Sequence, residues 1–201
     1  MRWGRLEVTG GFLLLVAWLN YLDRQCILPL TLVACLAHEL GHYGAIRLLR
    51  GNITRIRVTA VGAEMSISHP MGYVQEGIAA LAGPGVNLFL ALVFSIPEWG
   101  SFFSGLNLVL GCFNLMPAGR LDGGRALRCT LSLLAGQDVA VRIGECLDLI
   151  VTCLFLAAGW ELILSSKNVT LLLIALWLLS GRKNEKKGGN RSCQTVEKGV
   201  E

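Results

Sequence analysis

The sequence predicts an α-helical polytopic membrane protein: about six transmembrane helices, with a short membrane-associated β-hairpin between the second and third. Three observations predict it. Of 201 residues, 53% are hydrophobic and only 16% charged, where a soluble domain carries about a quarter charged residues. The apolar residues gather into runs of membrane-crossing length, and mean hydropathy is +0.57. One interval, NITRIRVTAVGAEMSISHP, alternates instead of running apolar, which is the period-2 sign of strands.

The first apolar run extends from about Val8 to Leu22. Its basic start and short apolar core are those of a signal peptide, but it has no A-x-A cleavage site and leads into another apolar run, so it is read as a retained first span. The second runs from Cys26 to Leu49, the third from Tyr73 to Ile96, and the fourth from Phe102 to about Leu127, interrupted near Pro117. The fifth covers Ile143 to Leu164 and the sixth Val169 to Leu179. A bilayer core of ~30 Å needs about 20 helical residues, so the second, third and fifth fit comfortably, while the first and last must tilt or thin the membrane. The hairpin is expected to turn near Val61-Gly62. The whole is read as one membrane-embedded metal-binding domain over residues 1–181, with core spans about 26–130, followed by a flexible, basic, Gly-rich tail over 182–201.

Positive charge gives the orientation. With both ends on one side, the termini and the loops after spans two and four hold all but Arg24 and Lys167 of the 18 basic residues. By the positive-inside rule that side is the cytoplasm. The net charge of +4 reflects this asymmetry and gives no reason to expect nucleic acid. The seven cysteines form no CxxC pair and read as small packing residues rather than a disulfide framework.

Inside the second run stands His38-Glu39-Leu40-Gly41-His42. HExxH on a helix places two histidines one turn apart on one face, with a carboxylate beside them able to activate water. Two imidazoles suit zinc, and ionisable groups within a membrane-length helix point to function because they are costly there. Gly41 leaves room for a neighbouring helix or substrate strand. A catalytic zinc usually has a third protein ligand. His69 beside Pro70 reads better as a surface group and Glu64 and Glu76 as solvated or interfacial charges, while Asp148, embedded in the fifth span, is a weak candidate for a ligand. Asp122 stands out, at the end of the fourth run in NLMPAGRLDGGR. Two glycines follow it, giving a backbone that can turn and admit a close partner, and Pro117 frees carbonyls that a membrane tolerates only where protein or a cavity satisfies them. His42 precedes Arg50 by about 12 Å of helix and Asp122 precedes Arg128 by about 9 Å, so both lie slightly below the same cytoplasmic surface.

These residues resemble the site-2 proteases, intramembrane zinc metalloproteases. The likeness rests on HELGH in the second span, NLMPAGRLDG in the fourth, and Ala82-Gly83-Pro84-Gly85-Val86-Asn87 in the third. It covers residues about 30–130. It implies one Zn2+ bound by His38, His42 and Asp122, Glu39 as general base, and Asn114 supporting substrate or transition state. The small size and the spans after the core look most like the stage IV sporulation protein FB branch, here without the CBS domain that branch often carries. That resemblance implies regulated intramembrane proteolysis of a membrane-tethered substrate, a sigma-factor precursor, in a bacterial cell membrane, with membrane inhibitory partners. Arg120 departs from the apolar residue the family often has there. A hairpin edge around Ile53–Ser68 would suit an extended substrate strand, and the Gly-Pro-Gly stretch reads equally as a helix kink or as unwound backbone beside the cleft. The alternatives are a metal-binding membrane transporter or sensor, and an inactive scaffold of the same family.

Overall fold

The structure is a computed structural model that describes residues 2–3, 6–59, 62–166, 171–176 and 178. The expected tail over 182–201 lies outside the described residues, as do Val169, Thr170, Trp177 and Leu179 of the sixth apolar run. The chain divides into two compact units, Met1–Met71 with Leu81–Phe113, and Gly72–Ala80 with Asn114–Glu201.

The first unit opens with strands β1 (Arg2–Trp3) and β2 (Leu6–Val8), followed by helix α1 (Gly10–Leu22). Thr9 caps α1, its hydroxyl accepting from the Phe12 N–H at 3.4 Å. No α1 residue is buried by the rest of the chain, and Leu14, Trp18 and Tyr21 are exposed, as suits a lipid-facing helix rather than one in water. Helix α2 (Ile27–Leu48) is capped from a distance by Asp23, whose carboxylate accepts from the N–H groups of Leu28 at 2.7 Å and Gln25 at 3.1 Å. The Leu28 N–H, with weaker help from its neighbours, holds the Asp23 carboxyl below the usual carboxylate range.

Strands β3 (Ile53–Thr59) and β4 (Gly62–Ile67) pair antiparallel, with Arg57 opposite Glu64 and Thr59 opposite Gly62. The expected pairing of two strands is therefore present, while Val61 of the expected turn lies outside the described residues; the sheet is larger than a hairpin. Its order is β1-β2-β3-β4, with β2 parallel to β3. The start of the first apolar run at Val8 is corrected accordingly: Val8 pairs with Val58, and α1 begins two residues later. β4 is left at the sheet's edge.

Helix α3 (Tyr73–Phe94) runs through Pro84 without a break, so the unwound reading of the Gly-Pro-Gly stretch does not hold. Glycine here serves close packing instead. A Cβ on Gly41 of α2 would lie 2.8 Å from the Ala82 carbonyl oxygen and 3.1 Å from Gly83 Cα. Small residues thus let the two helices meet backbone to backbone, as Gly41 led us to expect. Helix α4 (Ser101–Asn114) follows, all but its last residue belonging to the first unit.

In the second unit the fourth apolar run is indeed interrupted at Pro117. Residues 115–121 form a loop, and helix α5 (Asp122–Ala135) starts after it. Several of the loop's carbonyls are satisfied by protein, as low-polarity surroundings require. Met116 O accepts from Ala118 N at 2.8 Å and Ala118 O from Leu121 N at 2.9 Å; Gly119 O accepts from Arg128 Nη2 at 2.6 Å. The two glycines after Asp122 admit this loop: a Cβ on Gly123 or Gly124 would strike the Leu115 or Ala118 carbonyl. Helix α6 (Gln137–Ser166) contains the fifth apolar run. By length and apolarity, two described helices can cross a membrane, Tyr73–Phe94 and Gln137–Ser165, and Gly10–Leu22 is a shorter apolar helix.

Candidate metal centre

His38 and His42 lie one turn apart on α2, so both rings leave the same face. Their Nε2 atoms converge to 3.1 Å, and the rings meet edge to face at 4.7 Å between centroids. His38 is buried; His42, Glu39 and Asp122 are half-buried. Gly83 makes the room for His42, since a Cβ there would enter the imidazole.

Asp122 is the first residue of α5, where the partial positive charge of the helix start favours a carboxylate. One ligand atom from each of His38, His42 and Asp122 lies within 4.8 Å of the others. This is the set the sequence implied. Its chemistry, two imidazole nitrogens and a carboxylate oxygen, suits zinc, whose bonds of about 2.0–2.1 Å set tetrahedral ligand atoms about 3.3 Å apart. The 3.1 Å between the two Nε2 atoms matches that spacing, so the residues present can hold a zinc ion.

Glu39 stands beside this pair, and its Oε1 accepts from the Ala63 N–H of β4 at 3.2 Å. His69 is exposed after β4, and Glu64 is exposed on that strand. Glu76 pairs with Arg125 at 3.5 Å on the surface. Asp148 is buried on α6, and its Oδ1 accepts from the Gly119 N–H at 3.1 Å. It holds the loop that leads into Asp122. Asn114 ends α4, immediately before that loop.

Sequence reasoning missed two partners of the centre. Asn87 Oδ1 lies 2.5 Å from His38 Nδ1, and Ala63 reaches Glu39 through its backbone. For Asn87 a signal existed: a polar amide in an apolar run needs a partner. For Ala63 there was none, because a backbone N–H is written in every residue.

Scaffold and donor set together define a class, a helical bundle with a small sheet that carries a His-Glu-x-x-His metal centre. The sequence matches no family model. It is 32% identical over 197 residues to the zinc metalloprotease MJ0392 of Methanocaldococcus jannaschii, covering 87% of this chain and 54% of that protein. It is 30% identical over 159 residues to the putative zinc metalloprotease Rip3 of Mycobacterium tuberculosis, covering 68% of this chain and 38% of the relative. For the putative zinc metalloprotease sll0528 of Synechocystis the identity is 31% over 157 residues, covering 69% and 39%. The chain thus spans about half the length of the first of these curated relatives and less of the others. In structure it is similar to the site-2 protease from Methanocaldococcus jannaschii, with a TM-score of 0.66 and 26% identity over 90% of this chain and 89% of that one. In sequence and in fold, then, the chain is similar to proteins named zinc metalloproteases and to a site-2 protease.

Proposed function

We propose that this chain is an intramembrane zinc metalloendopeptidase that hydrolyses peptide bonds of membrane-associated proteins near the cytoplasmic face. The observation that carries this reading is the convergence of His38, His42 and Asp122, with Glu39 next to the first ligand on an apolar helix. Zinc held there would polarise the scissile carbonyl and lower the pKa of water from 15.7 to about 7. Glu39 takes a proton from the attacking water as its oxygen bonds to the carbonyl carbon. As the carbon–nitrogen bond breaks, Glu39 delivers that proton to the leaving nitrogen. The Ala63 N–H fixes Glu39 Oε1, which leaves Oε2 to handle the proton.

Substrate must arrive extended, because a helical peptide bond is enclosed by its own hydrogen bonds. The edge of β4, apart from the Ala63 N–H held by Glu39, offers backbone groups for strand addition, and we read Asn114 as a support for substrate or transition state. We read the chain as multi-pass with about six spans in a bacterial cell membrane, and the basic asymmetry supports a reading with both termini in the cytoplasm. As a substrate we propose a membrane-tethered transcription-factor precursor, with a sigma factor of sporulation as the specific candidate and membrane proteins as inhibitory partners. Co-expression with such precursors tests this. Wild type should release the soluble fragment, and Glu39→Gln should abolish release while retaining fold and metal. Undiminished release by Glu39→Gln would remove Glu39 as the base.

A further inference from the structure

Two asparagines lie fully buried inside the first unit, Asn87 on α3 and Asn107 on α4, each 0% exposed. A primary amide offers two N–H donors and one acceptor oxygen, and its orientation is set by what surrounds it. Here backbone carbonyls, which can only accept, decide the matter. Asn107 Nδ2 donates to the Phe103 carbonyl at 2.9 Å, so Asn107 Oδ1 must face the other way. There it accepts from Asn87 Nδ2 at 2.8 Å. Asn87 Nδ2 also donates to the Ala34 carbonyl at 3.2 Å. Both Asn87 N–H groups are then used, and turning the amide over would set oxygen against oxygen at both contacts. Its Oδ1 is therefore committed to His38 Nδ1, 2.5 Å away.

An oxygen that only accepts requires a nitrogen that donates. We propose that Asn107 and Asn87 form an amide relay, anchored on the Phe103 and Ala34 carbonyls, that locks His38 as its Nδ1–H tautomer. The Nε2 lone pair is thereby presented to His42 and to the metal. Asn87 and Asn107 are positioning residues, since neither belongs to the ligand group. The relay spans α2, α3 and α4, so it also fixes the ring's orientation against three helices. Partners of this kind typically change metal affinity 10–100-fold when removed. The proposal rests on the metal centre only for what Nε2 is offered to; the tautomer is argued from the amide contacts.

The test is 15N NMR of the histidine rings in metal-free and zinc-loaded full-length protein in detergent micelles, with zinc affinity measured by chelator competition. Metal-free wild type should show His38 protonated on Nδ1. Asn87→Leu should give a mixture of tautomers and a zinc affinity about 10–100-fold weaker. Asn107→Leu, which leaves Asn87 and its Ala34 anchor in place, should shift both readouts less. Asn87→Asp keeps an acceptor oxygen toward Nδ1 and should keep Nδ1–H, but at lower stability, because its second oxygen would face the Ala34 and Asn107 oxygens. A purely structural role for the asparagines would lower stability without moving the tautomer. Wild-type His38 protonated on Nε2 would overturn the relay without recourse to any variant, as would an Asn87→Leu protein with unchanged tautomer and zinc affinity. The expected tautomers in a wild type that binds no zinc would support the relay and overturn the metal centre instead.

Discussion

Replacing Gly83 by alanine puts the packing beside the metal centre to a sharp test. A Cβ at this position would lie 2.6 Å from His42 Cε1 and 2.8 Å from Cδ2. Ordinary contact between such atoms begins near ~3.5 Å, so the imidazole must retreat by about 1 Å, or α3 must move by as much. Ligand distances in a metal site tolerate about ±0.2 Å, so a displacement of that size takes His42 out of ligation. Overpacking of this kind costs about 1–3 kcal/mol. In an unobstructed helix the same change would stabilise by about 0.5–1 kcal/mol, so even the sign is diagnostic. Gly85 supplies the control, because a Cβ there meets nothing within 4 Å. The assay is zinc affinity by competition with a chromophoric chelator, alongside thermal unfolding of the metal-free protein in detergent. Gly83→Ala should bind zinc at least about tenfold more weakly, each 1.4 kcal/mol being tenfold, and should unfold at lower temperature. Gly85→Ala should match wild type or exceed it in stability. Wild-type zinc affinity in Gly83→Ala would refute the packing argument.

Further outcomes follow from the same geometry. Asp122→Asn removes the charged oxygen ligand and should lower zinc retention, read as metal per chain after dialysis; unchanged content would discard Asp122 as a ligand. Asp148→Leu leaves the Gly119 N–H without its acceptor, so activity and zinc affinity should fall together although Asp148 lies outside the ligand group; an unaltered variant would remove its role in holding the loop. Asp23 has its carboxyl held below the ordinary range by the Leu28 N–H. Its contribution is therefore present above the unfolded carboxylate value of about 3.9 and is lost as pH falls through the lower, folded one. Thermal stability of wild type should exceed that of Asp23→Ala at neutral pH, and the gap should close in acid; a gap independent of pH would contradict capping by the carboxylate.

The ligand set could be read in the sequence because its spacing is local. The i, i+4 histidines need only a helix, and the proline and paired glycines near Asp122 mark a turn. The pairing of the two strands was legible from alternation, and their register runs to Thr59 opposite Gly62. The added strands were not. Leu6–Val8 is three residues long, too short to show a period, and its parallel pairing to β3 is a distant contact that the apolar run beginning at Val8 conceals. Asn87 and Asn107 are twenty positions apart on different helices, and only packing shows that their amides meet. Asp148 read from sequence as a stray charge in a span, and its work is visible only once Gly119 is placed against it. The Gly-Pro-Gly stretch left kink and unwinding open, and the uninterrupted helix Tyr73–Phe94 excludes unwinding.

The central claim is a single zinc held by His38, His42 and Asp122. X-ray absorption at the zinc edge of the purified full-length protein, with metal content per chain, addresses it most directly. The account predicts one zinc per chain and a first shell of nitrogen and oxygen at about 2.0–2.2 Å, two of the scatterers being imidazoles. Asp122→Asn should lose metal or change that shell. A sulfur shell near about 2.3 Å, which would implicate the cysteines, or an unchanged spectrum after His38→Ala and His42→Ala, would contradict it.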